Sequence, residues 1–545
     1  FGYLAGDDLA NTGLYNSFFG DNAGHQITTG DYNTAFGLNA LDGSTAADRV
    51  TAIGSAALRG NVASTAQGAV GVGYAALNGL TNGTNTTAVG YEAGYAITVG
   101  DHNTILGHSA LRLEVGGQNS VAIGSAALYT QDGGDSETAM DNIGIGRNAG
   151  YHNVTGTKNT YVGTYAGQGA SGNSNSNNVG IGASSMLDIT TGSNNVAVGK
   201  SSAENLTAGS NNVVIGYEAL DAANAGEAAN VAIGYSAMGA VDEANNAGAG
   251  VHSADNNVAI GYNALLGGVI GGGDVNDSTD RRLNHNIAIG YGSLDATGQN
   301  ASIGQIAIGY NSLGANTSGY DNVAIGYESL DACTTGSQNV GLGRGTLSGT
   351  DDGVSNTAIG AYAMSIGNVG TSNTAVGSQS MTDSTGSYNT AVGMQSLFDC
   401  TGGGSNTVLG ALAMKFANGG ESDNVALGVQ AMQDVKENGN TADSNIAIGT
   451  LAMRGGTLGG DFIGNIAIGR FAMDATDTNA QTGTIAIGHQ SLTALTSGIE
   501  NTAIGYQSAD GLTNGSYNTF VGYKVASTGT ITGQENTAMG NTALG

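Results

Sequence analysis

The chain has 545 residues, 95 of them Gly, with no Pro, no Trp and 2 Cys, and its 43 acidic against 14 basic residues give a formal charge of −29. Gly at this frequency without Pro excludes collagen, and 40% hydrophobic content excludes plain disorder. The acidic excess argues against nucleic acid and anionic membrane as partners, and with no run of about 18 apolar residues no membrane insertion is expected in this segment.

One short phrase recurs along the whole sequence. It reads Asn-Val-Ala-Ile-Gly-Tyr-Asn-Ala-Leu at 257–265, Asn-Val-Ala-Ile-Gly-Tyr-Glu-Ser-Leu at 322–330 and Asn-Thr-Ala-Ile-Gly-Tyr-Gln-Ser-Ala at 501–509. Anchored on its Gly, the phrase occurs in 29 full copies from Gly20 to Gly540, and 15 of the 28 intervals equal 17 residues. A period this short predicts one solenoid coil per repeat. The expected fold is therefore all-β: a parallel β-solenoid, or β-roll, of about 30 coils running through 1–545 as a single continuous array. At about 4.8 Å per coil it makes a rod of about 140 Å.

Taken in chain order, each coil opens four residues before the anchor with Asn in 23 of 29 copies. Asn tolerates left-handed backbone and bonds neighbouring peptide groups, so this column is expected to form a ladder at a turn entering the strand. The strand follows. Three residues before the anchor 28 copies hold Thr, Val or Ile, and one residue before it all 29 are large and apolar. These two columns share one strand face and are assigned to the coil interior, partly because Thr interchanges with Val there. The column between them, Ala in 19 copies and Gly in 4, is apolar as well. Its small size suggests close approach of a second chain, so Ala232, Ala259, Ala288, Ala307 and Ala324 are expected to line the axis of an oligomer. Beyond the anchor, the fourth residue is Leu or Met in 22 copies and takes eight of the 11 Met residues, which reads as interior filling. Gly, Thr, Ser, Asn and Asp complete the coil as turns.

Departures from the repeat are the candidate sites. Tyr follows the anchor in six consecutive copies, Tyr217, Tyr235, Tyr262, Tyr291, Tyr310 and Tyr327, and an aromatic row spaced by about 5 Å suits glycan rings as well as it suits a cover over the turn. The two longest intervals, 27 and 29 residues, are adjacent, and their long loop insertions within 235–289 are expected to form a lateral knob carrying Asp274, Asp277, Asp280, Arg281 and Arg282. Calcium there is a minor alternative, since the glycine-aspartate nonapeptide of calcium β-rolls does not recur. No metal or other cofactor is expected: the seven His show no metal-ligand spacing and there is no Cys-x-x-Cys. Cys333 and Cys400 fall four coils apart, about 19 Å, and are read as separate thiols. No catalytic group stands out from the columns, so no enzyme is expected.

The Asn-[Ser/Thr/Val]-[Val/Ala]-Ile-Gly phrase resembles the head repeats of trimeric autotransporter adhesins of the haemagglutinin type, and its longer form with Tyr and Ala-Leu resembles repeats of phage tail-fibre proteins. The resemblance covers essentially the whole chain. It implies a left-handed β-roll assembled as a homotrimeric rod, extracellular on a cell surface or a virion fibre, and used in attachment to a surface glycan or cell-surface receptor. The expected function is a non-enzymatic fibre shaft and the segment is read as part of a longer fibre. The alternatives are a purely structural filament, an ice-binding solenoid, which needs an exposed Thr row, and a glycan-cleaving solenoid, which needs a local cluster of acids.

Overall fold

A computed structural model of the chain describes residues 2–8, 13–224, 226–243, 252–267, 269–270, 281–297, 302–367, 369–417, 419–435, 441–456, 458–475 and 480–544. Among these the secondary structure is strand and turn without helix, and the chain folds as a parallel β-solenoid of about 28 turns with a period near 17 residues. It divides into two compact units, Phe1–His285 with Gly298–Asn300, and Asn286–Thr297 with Ala301–Gly545. The division falls inside the second of the long intervals.

Within each unit every coil contributes one three-residue strand, from Ser17–Phe19 to Val258–Ile260 in the first and from Ile287–Ile289 to Thr537–Met539 in the second. Successive strands pair in parallel with no slip of register. Val196, Ala197 and Val198 face Val213, Val214 and Ile215, and Ile306, Ala307 and Ile308 face Val323, Ala324 and Ile325. The repeat columns seen in the sequence are therefore physical columns, one side chain above another.

The assignment of the two strand faces is reversed. Ala232, Ala259, Ala288, Ala307 and Ala324 are fully buried inside the coil of a single chain, so they do not line an oligomer axis. The columns on either side of them, such as Val231 and Ile233, point outward and are half-buried or exposed. The reason is coil thickness. The strand's middle residue and the Leu or Met four residues past the anchor fill the same narrow interior: a Cβ added at Gly71 would lie 3.2 Å from Leu58 Cγ of the preceding coil. Large side chains in both columns crowd that space, so the middle column is mostly Ala or Gly. All eight Met residues of the second element, from Met186 to Met473, are buried, as interior filling requires.

The Asn column is also interior. Asn195 Oδ1 accepts from the Asn212 backbone N–H at 2.9 Å, and Asn195 Nδ2 donates to the Gly209 carbonyl at 2.8 Å, both on the next coil. The same pair of bonds recurs from Asn178 to Asn195 and Gly192 and from Asn322 to Asn339 and Gly336. Buried amides are thereby satisfied without water. The left-handed residue is not the Asn but the one before it, for example Asn194 at φ 61 and Asp321 at φ 55. The anchor needs Gly for two reasons. At Gly309 φ is 138, outside what a side chain tolerates, and a Cβ there would collide with the Gly326 carbonyl above it.

Candidate functional site

The outward face of the strands is a uniform surface that this packing creates. In each unit it consists of two parallel columns, Thr, Val or Ile in one, with Ser17 as the exception, and Ile, Val, Leu, Phe or Met in the other, and none of the three-residue strands contains a charged residue. On a chain of formal charge −29 this is a neutral, apolar stripe. Leu106, Ile181, Ile215, Leu342 and Leu409 are among its exposed members. Near its start the Phe19 and Phe36 rings stack at 4.9 Å and line, with Asn16, Thr34 and Ala35, an open pocket on the same face. Thr is part of this outward face too: Thr357, Thr374, Thr390 and Thr407 occupy four successive coils. The inward position expected for the Thr column is thus corrected.

Beside the stripe runs the tyrosine row. Tyr217 stacks on Tyr235 at 5.3 Å and Tyr235 on Tyr262 at 4.9 Å in the first unit, and Tyr291 stacks on Tyr310 at 5.2 Å and Tyr310 on Tyr327 at 5.1 Å in the second. Ring planes differ by only 7° to 15°. The coil spacing itself dictates this, since equivalent side chains are one strand apart. Between stacked neighbours the ring faces lie against each other, while the residues stay partly exposed, 38% at Tyr217 and 51% at Tyr291. Cations close the outer faces. Lys200 Nζ lies 5.1 Å over the Tyr217 ring, and the Arg344 guanidinium 5.4 Å over Tyr327. Hydrogen bonding and the charge of Glu218 raise the Tyr217 pKa, and Glu328 does the same to Tyr327. Faces of stacked neighbours are thus taken by each other and by these cations and do not form an open aromatic platform.

Of the knob residues, Asp274, Asp277 and Asp280 lie outside the described residues. Arg281 and Arg282 belong to the strand Arg281–Asn284, whose backbone pairs in parallel with His252–Ser253. Cys333 and Cys400 are free and buried, and burial pushes the Cys333 thiol up to about 11. A thiol this far above neutrality is unreactive. Half-buried carboxyls recur five or six residues past the anchor. Burial raises Asp221 to about 6, with the charges of Glu218 and Glu204 adding to it, and burial likewise raises Asp188, Asp295, Asp331 and Asp510.

One grouping escaped the search for ligand spacing. Oxygens of Asp7 and Asp8 and a ring nitrogen of His25 lie within 4.8 Å of one another. Linear motifs do not contain them together. Counting from the anchors does: Asp7 and His25 are each the fifth residue after Gly2 and Gly20, so one coil rise separates them. No protein family model matches the chain, and no curated protein matches it.

Proposed function

We propose that the chain is a non-enzymatic, extracellular fibre shaft that supports attachment to a surface. In this reading left-handed coils of three identical chains pack through the outward strand stripe. The observation that carries it is the uncharged, largely apolar stripe that the outward strand columns form in each unit. At a strand spacing of about 4.8 Å and about 3.3 Å per residue, fourteen coils present roughly 65 by 10 Å, or about 650 Å² per unit. Two such faces give about 1,300 Å² per chain, which a trimer divides between two neighbours at about 650 Å² each, at the low end of the roughly 600–1,000 Å² per partner of standard interfaces. An exposed apolar surface of that extent is unfavourable in water, and a second copy presents an identical neutral face without charge mismatch. The resemblance to adhesin head and tail-fibre repeats supplies the number three. Attachment then falls to what the bundle leaves outside, namely the tyrosine edges and the insertions within 235–289, against glycan or receptor.

Sedimentation velocity with negative staining tests this. The wild-type chain is expected as a slender trimer, and Ile308→Lys with Ile325→Lys as a folded monomer with an unchanged β-sheet circular dichroism spectrum. Wild-type sedimentation of the double variant would show that the stripe is not the contact.

A second reading is favoured by one stretch. Thr357, Thr374, Thr390 and Thr407 form an outward hydroxyl row at regular spacing, the arrangement an ice-binding face uses. Thermal hysteresis by the monomeric variant, absent when these four are Val, would favour it over the fibre.

A further inference from the structure

The fifth residue after the anchor sits on the flank of the coil. In the first three coils this column reads Asp7, His25 and Asp42, with Asp8 next to Asp7. The coils are held in register by backbone bonds: Gly6 N–H donates to the Ala23 carbonyl at 2.9 Å and Asp8 N–H to the His25 carbonyl at 3.2 Å. Both aspartates are exposed, and His25 is half-buried. On the third coil Asp42 Oδ1 stands 3.3 Å from His25 Nδ1, and that oxygen is buried with no hydrogen bond of its own.

We infer that Asp7, Asp8 and His25 form a binding site for a divalent transition-metal ion of the zinc type, with Asp42 as the positioning residue behind the imidazole. Four features combine in it. Two carboxylates and an imidazole are the donor set such ions take, and their ligand atoms already share one 4.8 Å neighbourhood. Around a tetrahedral ion at about 2.0–2.2 Å the donors stand roughly 3.4 Å apart, so small rotations of exposed side chains complete the approach. Asp42 Oδ1, 3.3 Å from His25 Nδ1 and without a hydrogen bond, is placed to accept from Nδ1 once Nε2 takes the ion, the usual relation of a metal-binding His to a second carboxylate. The local charge also calls for a cation: three carboxylates surround one imidazole, and the nearest basic residue of the column, Arg59, is one coil beyond Asp42. The nitrogen donor and the low ligand count disfavour calcium, which takes six to eight oxygens. The bound ion would clip the first coil to the second, with water in the remaining position. This inference is independent of the fibre reading.

Titration of the full chain, freed of metal by chelator, with Zn²⁺ by calorimetry and with Co²⁺ by visible absorption tests it. One saturable Zn²⁺ site per chain is expected, with Co²⁺ d–d bands that disappear on adding Zn²⁺. His25→Ala and His25→Gln should each weaken binding more than 10-fold, and Asp42→Asn by about 10-fold or more. Equal Zn²⁺ binding by wild type and both His25 variants, or Ca²⁺ binding as tightly as Zn²⁺, would reduce the cluster to an acidic surface and overturn the site. Wild-type affinity in Asp42→Asn would overturn the positioning role. Thermal melts without metal show whether each variant keeps its fold.

Discussion

The Phe18 ring occupies the space that a Cβ on Gly24 would fill: its Cε1 and Cζ would lie 2.7 Å from such an atom. Phe18 is a strand-middle residue and Gly24 is the fourth after the same anchor, where Leu or Met is the rule. The trade recurs at Tyr161, whose ring fills the space beside Gly167 and whose hydroxyl donates to Asn175 Oδ1 at 2.6 Å, and between neighbouring coils at Ile105, beside Gly94 of the coil before it. The interior has one volume, and the two columns share it.

This exchange can be transplanted. Ala307→Phe alone should overpack its coil and destabilise the chain by about 1–3 kcal/mol. Leu313→Gly alone should leave a cavity that costs about 2–5 kcal/mol. The double variant should recover part of both, with a favourable coupling of about 1–3 kcal/mol in urea unfolding. Simple additivity would mean that the columns do not meet. Assembly is expected to follow the stability of the coil and not the size of residue 307.

At Gly309 the expectation is harsher. Gly309→Ala puts a side chain at φ 138 and into the carbonyl of Gly326, two backbone conflicts that no rotamer relieves. A loss of more than about 3 kcal/mol is expected. Hydrogen exchange should show it as opening centred on the coils around residues 309 and 326.

The Asn ladder predicts a different cost. Asn195→Leu keeps the branching at Cγ but leaves the Asn212 N–H and the Gly209 carbonyl without their side-chain partner, at about 1–3 kcal/mol for each buried group. Asn194→Ala, one residue earlier, should cost much less, because Asn194 is needed only for its left-handed φ of 61. Thermal unfolding of the two variants separates these roles.

Stability should fall as pH rises from about 4 to about 6. Asp221 has a folded pKa of about 6, above its ordinary 3.8, so in that window the folded state holds a proton that the unfolded state has released. Its contribution is complete below the unfolded value and lost through the folded one. Asp188, Asp295, Asp331 and Asp510 act in the same direction. Asp221→Asn should flatten the pH dependence of the melting temperature and raise it at pH 7. An unchanged profile would show that Asp221 is solvated in both states.

Period, strand positions and the Asn column were legible because stacking forces equivalent residues to repeat. The facing of the strand was not. When both faces are apolar, hydrophobicity no longer distinguishes inside from outside, and the small Ala column suggested a neighbouring chain although it reported the thinness of its own coil. The sequence held the missing signal in the pairing of Phe18 with Gly24 and Tyr161 with Gly167, large in one column where the other is small. Asp7, Asp8 and His25 were missed for a related reason: their proximity exists only in coil coordinates. The tyrosine rings stack at the spacing that the coil period implies, and only the ring planes show that the faces of stacked neighbours are already taken.

The Asn amides give the stack a polarity. Toward the backbone these side chains act only forward, the oxygen accepting from an N–H and the nitrogen donating to a carbonyl of the following coil, while the nitrogen's backward bond, as from Asn195 Nδ2 to Asn178 Oδ1 at 3.2 Å, goes to the preceding side chain. Wherever such a stack is interrupted, the upstream fragment therefore ends in unused side-chain amides and the downstream fragment begins with unused main-chain groups. Two upstream fragments cannot satisfy each other, and neither can two downstream ones. Coils of this sequence can be elongated, mended or shuffled only in one sense, as links that hook in a single direction.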